Sequence, residues 1–351
     1  MPIKMIPMIW SPLVRAARMS IPLTTRCRSR YVFSSDIINK RTLSQQSRTF
    51  SVATEGDILS RIKIRQVEKK DVPILFKIYD HENWNYSQET VEAFVDIAGK
   101  SFLVAELDGN VVGSMMANLL NDQEAFGGLA AVIPELRGKG IAKQLWAKRS
   151  EFIGERNFGV KSVLHREEIL KKHGYSVSTY KCPLICGRID LSTISVQGDS
   201  SVDIVPTSKV DFEALVKYDA EIHTIPRRTF VEKWLARPSV KSFTALDKSG
   251  NIVGYGASSA ATHSYRICPL FADSSLVSRL LLVRLLQSVP QDANVDMYLN
   301  TENEVGKEIM ATNKDTFKIA FEMRKMFTKR DVDLPQHHKI LAYSSVELAL
   351  V

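Results

Sequence analysis

Val132-Ile133-Pro134-Glu135-Leu136-Arg137-Gly138-Lys139-Gly140-Ile141-Ala142 joins an apolar run, Leu129 to Val132, to a segment with apolar residues at 141, 142, 145, 146, 152 and 153. The run reads as a buried strand and the segment as an amphipathic helix beginning near Gly140. Two glycines and two bases lie between them. Glycine takes backbone conformations closed to other residues and lets main chain approach a ligand. A helix N-terminus presents unpaired N–H groups and the positive end of the macrodipole. Such a turn is an anion cradle, suited to phosphate or pyrophosphate, although a surface turn starting a helix uses the same residues.

Spacing narrows the ligand. No G-x-x-x-x-G-K-[ST] loop occurs, and a dinucleotide fingerprint needs glycine where Lys143 stands. The stretch Arg137 to Ala142 reads R-x-x-G-x-A. It resembles the pyrophosphate loop of the GNAT superfamily, the acyl-CoA-dependent N-acyltransferases.

Outward from that loop, Arg61 to Val67 alternates as a strand, and Asp71 and Pro73 open a helix. An aromatic and polar loop, Tyr79 to Tyr86, precedes a second helix from Ser87 to about Ala98. Phe102–Leu107 and Val111–Ala117 flank Asp108-Gly109-Asn110, a hairpin signature. Gly159–Leu164 reads as a strand, and Glu167–His173 as a short helix stopped at Gly174-Tyr175. This β-α-α-β-β-β-α-β-α-β succession over 60–190 matches GNAT topology.

Residues 191–201 are Ser-rich and read as a linker. Beyond it the plan repeats: Ser-Gly-Asn-Ile-Val-Gly (249–254) echoes Asp-Gly-Asn-Val-Val-Gly (108–113). Tyr265 to Asp273 reads Y-R-I-C-P-L-F-A-D, similar to the C-terminal domain of tandem acetyltransferases, and Tyr343–Leu348 resembles their closing strand. The fold class expected is α/β (α+β): two GNAT-like domains in tandem, 60–190 and 202–351, each a mixed, mostly antiparallel sheet flanked by helices. Where the first half has Arg137-Gly138-Lys139-Gly140, the second has Ala272-Asp273-Ser274-Ser275. Asp273 suits a helix cap and repels pyrophosphate, so one working site is expected, in the first half.

The net charge of +8 invites a nucleic-acid reading. Yet nine of 47 bases and one of 39 acids fall within residues 1–52, leaving 38 of each elsewhere. No nucleic-acid partner is expected of a neutral folded part. Residues 1–52, rich in Arg and Ser with no acid before Asp36, read as a mitochondrial targeting segment, with Arg48-Thr49-Phe50-Ser51 as its processing site. A disordered basic tail is the alternative. Four cysteines make no disulfide framework in 351 residues, and Cys182-x-x-x-Cys186 lacks partners at zinc spacing. These are read as ordinary thiols and no metal is expected, and since no apolar run approaches ~20 residues, no membrane span is expected either.

The resemblance implies acyl transfer from acetyl-CoA to the amine of a small molecule or amino acid. It places the pyrophosphate on the N–H groups of Arg137, Gly138, Lys139, Gly140, Ile141 and Ala142. The pantetheine arm would lie along the strand edge Ala130-Ala131-Val132, with the thioester carbonyl at an N–H near Val132. The loop carrying His81, Glu82, Trp84 and Tyr86 falls where such domains admit the acceptor, although aromatic packing against the sheet explains it equally. Two expected groups are missing. The strand Gly127–Val132 has no carboxylate to act as base, and Leu170 stands where a tyrosine acid is common. His165, near neutrality in its unperturbed pKa, is the best titratable candidate, with Tyr175 and Tyr180 nearby. A non-catalytic acyl-CoA sensor or interaction module of the same fold is the competing reading.

Overall fold

The computed structural model describes residues 55–196 and 202–350. The targeting segment expected over 1–52 and the linker residues 197–201 lie outside them. The fold is mixed α/β, with two mostly antiparallel sheets flanked by helices.

The first half runs α1 (Glu55–Arg61), β1 (Ile62–Gln66), α2 (Val72–His81), α3 (Gln88–Ala98), β2 (Phe102–Leu107), β3 (Asn110–Leu119), β4 (Glu124–Val132), α4 (Ile141–Ile153), β5 (Asn157–Val163), α5 (Glu167–Lys172), β6 (Val177–Lys181) and β7 (Leu184–Gly187). Asp108 and Gly109 take φ of 50° and 82°, the left-handed pair a tight β2–β3 turn demands. Ser87 caps α3 by accepting from the Thr90 N–H at 3.2 Å. Asp71 precedes α2 but makes no side-chain cap for it. Its carboxylate takes both forks of Arg65, at 2.7 and 2.9 Å, and the Glu68 N–H at 2.8 Å, so it caps the preceding short turn and not α2.

The second half runs β8 (Asp203–Pro206), α6 (Phe212–His223), α7 (Arg228–Leu235), β9 (Lys241–Leu246), β10 (Ile252–Ala260), β11 (Tyr265–Ala272), α8 (Ser275–Gln287), β12 (Val295–Tyr298), α9 (Glu304–Thr312), β13 (Phe317–Phe321), β14 (Met323–Phe327) and β15 (Ile340–Ala342).

The sheets do not respect the chain order. The seven-stranded sheet is β1-β2-β3-β4-β5-β14-β6, so a strand from the second half lies between two from the first. The other sheet runs β13-β7-β12-β11-β10-β9-β8, with β15 added on β11, and takes β7 from the first half. Each half therefore completes the other's sheet. The division expected at 191–201 separates the chain but not the sheets.

The strand expected over Tyr343–Leu348 is corrected. Strand pairing stops at Ala342, and residues 346–348 form a turn. The Ser345 hydroxyl accepts from the N–H groups of Glu347 and Leu348 at 3.3 and 3.2 Å, offering the backbone a local partner in place of a ladder. This C-terminal segment is buried between the halves. Asn118 donates to the Leu348 carbonyl at 2.6 Å, Tyr180 to that of Leu350 at 2.9 Å, and the Leu350 N–H to His223 Nε2 at 3.1 Å.

Candidate active site

The turn that opens α4 is built as its glycines require. Gly138 and Gly140 take φ of 76° and 81°, and a Cβ on Gly138 would meet nothing within 4 Å. The Arg137 N–H returns to the Pro134 carbonyl at 3.2 Å. Among the described residues no protein acceptor is recorded for the N–H groups of Gly138, Lys139, Gly140, Ile141 or Ala142. The left-handed glycines thus leave a run of donors at the positive end of α4, a cradle that fits a diphosphate. The Arg137 guanidinium does not join it. Its Nε donates to the Val132 carbonyl at 2.9 Å and its other arm holds Glu82.

The second element is a fork. β4 and β5 run parallel in register from Glu124↔Asn157 to Gly127↔Val160, where pairing ends. Among the described residues no strand pairs with residues 128–132 on that side, so their edge is open. A bulge sits just past the fork: Leu129 and Ala130 stand opposite the single residue Met115. Leu129 takes a φ of 52°, and the Ser114 hydroxyl donates to its carbonyl at 2.7 Å, with Tyr79 bonded to Ser114 at 2.9 Å. Ala130 is exposed and Val132 half-buried, whereas Ala131 is buried.

Gly128 and Lys161, the first two positions after the fork, both meet the C-terminal turn. A Cβ on Gly128 would lie 3.1 Å from Glu347 Cγ, and Lys161 donates to the Ser345 carbonyl at 3.3 Å. The Glu347 carboxylate accepts from the Tyr86 hydroxyl, and more weakly from Ser345 at 3.3 Å. Burial raises the Glu347 pKa, against the lowering effects of Tyr86, Arg266 and Lys161. Burial likewise depresses the Lys161 ammonium.

The acceptor loop is docked rather than open. Trp84 stacks on Tyr79 at 5.0 Å, and Tyr86 meets Phe94 edge-on at 5.1 Å. Asn85 donates to Asp296 and Ser264 at 2.8 Å, and its side-chain oxygen accepts from the His263 N–H at 2.8 Å, tying the loop to the second half. The Arg266 guanidinium, paired to Asp296 at 2.7 Å, lies 5.3 Å from the centre of the Tyr86 ring. Trp84 and Tyr86 are thus packed aromatics, with only the Tyr86 hydroxyl turned to the fork. His81 is exposed, and Glu82 serves Arg137.

His165 stands apart from this cluster. It lies in the exposed turn after β5 because Leu164–Arg166 winds into a short 3₁₀ segment. Tyr180 is spent on the Leu350 carbonyl and stacks on Tyr343 at 5.3 Å. Tyr175 is buried beside Arg149, with no recorded partner for its hydroxyl among the described residues. Glu347 was not legible as a site residue, because a carboxylate flanked by Val346 and Leu348 reads as the solvent face of a strand.

The second half has the same fork and closes it. β11 and β12 pair in parallel only at Tyr265↔Val295 and Arg266↔Asp296. β15 then enters the gap, pairing Leu270↔Ala342 and Phe271↔Ile340, while Leu299 bridges Ala342. The cap expected of Asp273 is made by Ser274, which accepts from the Val277 N–H at 3.3 Å. Asp273 is occupied elsewhere, accepting from Tyr218 and Lys339 at 2.9 Å each.

An open strand fork beside a glycine-rich anion cradle, with a second fork that is filled and lacks the glycines, is the arrangement of a tandem acyltransferase fold. The acetyltransferase (GNAT) family model matches residues 64–175, and an acetyltransferase (GNAT) domain model matches 215–341. The chain belongs to the GNAT superfamily and carries two of its domains in tandem. It is 24% identical over 267 residues to the holothin acyltransferase of Pseudoalteromonas sp. (strain SANK 73390), covering 76% of this chain and 87% of that one. Among solved structures, a putative acetyltransferase from Pyrococcus horikoshii aligns with a TM-score of 0.63 at 16% identity, over 82% of this chain and 96% of that one. A tandem GNAT protein from the clavulanic acid biosynthesis pathway aligns at 0.55 and 13%, over 77% and 100%. These two likenesses concern the fold.

Proposed function

We propose that the protein is an N-acyltransferase moving an acetyl group from acetyl-CoA to the amine of a small molecule or amino acid, with one working site in the first half. The observation that carries this is the contrast between forks, the one beside the glycine cradle open and the other filled by β15. Gly138 to Ala142 would hold the pyrophosphate and the edge of 128–132 the pantetheine arm. When bound, acetyl-CoA supplies the activated acyl group. The chain's own contribution is to fix amine and thioester together and to accept the amine's proton. The second half, 202–351, walls the acceptor side and braces the loop at Asn85. The acyltransferase relative and the two family matches support acyl transfer in general. We assign the protein to the mitochondrial matrix on the Arg- and Ser-rich composition of residues 1–52.

Thermal denaturation with acetyl-CoA tests the donor site: the wild type should gain Tm and Gly138→Glu should not. Equal response of the two would end the reading. The sensor alternative rests on Leu170 and on the absence of a carboxylate from Gly127 to Val132. Release of free CoA from acetyl-CoA over a panel of primary amines decides between them, since a sensor binds and releases nothing.

A further inference from the structure

We propose that Glu347, brought by the second half to the fork of the first, is the base that deprotonates the acceptor amine; this rests on the N-acyltransferase reading above. From Gly127 to Val132 β4 carries no carboxylate, its one carboxylate, Glu124, being bound to Asn157 and Arg330 at the far end, and at Gly128 it carries no side chain at all. The stem of Glu347 packs into the space that a side chain at 128 would fill, with Cγ and Cβ 3.1 and 3.5 Å from the Cβ position. The carboxylate therefore reaches the sheet where β4 leaves β5 and one residue before the bulge at Leu129.

Its bonding leaves room for a substrate. An ionised carboxylate has about four acceptor positions. Two donors are recorded: the Tyr86 hydroxyl, and Ser345 at 3.3 Å. No ion pair to Glu347 is recorded among the described residues. Arg266 is committed to Asp296, and Lys161 to the Ser345 carbonyl. The residue is buried, with 8% of its surface exposed, and its carboxylate is desolvated.

The step balances as a simple transfer. An ammonium acceptor gives one proton to the Glu347 carboxylate, which later passes it to water. The freed nitrogen lone pair forms the C–N bond as the C–S bond breaks. The second N–H proton leaves with the thiolate, and the products are amide, CoA thiol and one proton. The ionisable groups facing Glu347 are Tyr86 and Tyr79 from the first half, Lys161 from β5, Arg266 and Tyr298 from the second sheet, and the thiols of Cys182 and Cys268.

The test is turnover of acetyl-CoA against a panel of primary amines, measured from pH 5.5 to 9 for the full chain as wild type, Glu347→Gln, Glu347→Asp and Tyr86→Phe. Glu347→Gln should lower kcat by about 100-fold or more, the usual worth of a general base, with the acetyl-CoA KM within about threefold of wild type. The acidic limb of kcat/KM should disappear in Glu347→Gln, return in part in Glu347→Asp, and move to higher pH in Tyr86→Phe, which removes a donor to the ionised carboxylate. A purely structural role would leave the limb in place. Glu347→Gln that turns over like wild type with the limb intact overturns the proposal and spares the acyltransferase reading. A wild type that binds acetyl-CoA and acylates nothing overturns both.

Discussion

Lys325 of β14 stands directly opposite Lys161 of β5, and both ammonium groups are buried. Like charges facing each other across a sheet are destabilising. The pair is held by its surroundings. Lys325 reaches Asp331 at 3.4 Å and lies 4.4 Å from the centre of the Tyr180 ring, while Lys161 lies 5.0 Å from that of Tyr343. The strand exchange that creates this pair also makes each sheet depend on strands of both halves.

Neither half should fold alone. Without β14, β5 and β6 become unpaired edges, and without β7, β12 and β13 lose their common neighbour. Expressed separately, residues 55–190 and 202–351 should show no cooperative unfolding by circular dichroism, and co-expression should restore it. A cooperative transition in the isolated first half would refute the interlock.

Gly159→Ala strikes the same junction from within. Its Cβ would come 2.5 Å from Phe327 and 2.6 Å from Phe126. Overpacking of this kind costs about 1–3 kcal/mol, read as a lower urea midpoint at unchanged slope.

Lys325 makes stability depend on pH. Burial lowers its pKa from 10.5 to about 8 in the folded chain. Between those values the unfolded chain binds more protons, so folding free energy from this group improves as pH rises. The urea midpoint of wild type relative to that of Lys325→Met should rise between pH 7 and pH 10. A constant difference would show that the group is not perturbed.

Arg137 and Gly138 should separate sharply. The Arg137 side chain is spent on Val132 and Glu82, an exposed pair worth at most about 1 kcal/mol. Arg137→Ala should weaken acetyl-CoA binding by less than about tenfold by calorimetry. Gly138→Glu places a carboxylate in the cradle at a φ of 76° and should remove binding.

Asp219 anchors the turn that carries Glu347. It takes both arms of Arg227 at 2.7 Å, and Arg227 also donates to Ser344 at 2.6 Å. Asp219→Ala leaves a buried guanidinium unpaired, at a cost of about 3–5 kcal/mol. Activity below the melting transition should fall as well, because Ser344 lies three residues before Glu347. Full activity in a destabilised chain would uncouple the anchor from the site.

The sequence alone determined the local elements and the cradle. Glycine at 138 and 140, the Asp108-Gly109 turn and the Ser87 cap act through backbone geometry within a few residues, which spacing records directly. The repeat of the hairpin and the nonapeptide at 265–273 likewise carried the tandem plan. Tertiary structure decided the long-range pairings: β14 beside β5 and Glu347 against Gly128 between the halves, and β15 in the fork of the second. The shortest of those separations, Phe271 to Ile340, is 69 positions, and no local pattern encodes any of them. A strand shows which face is apolar but not which neighbour it will find, and a carboxylate between two apolar residues gains its chemistry only from the groups that surround it when buried.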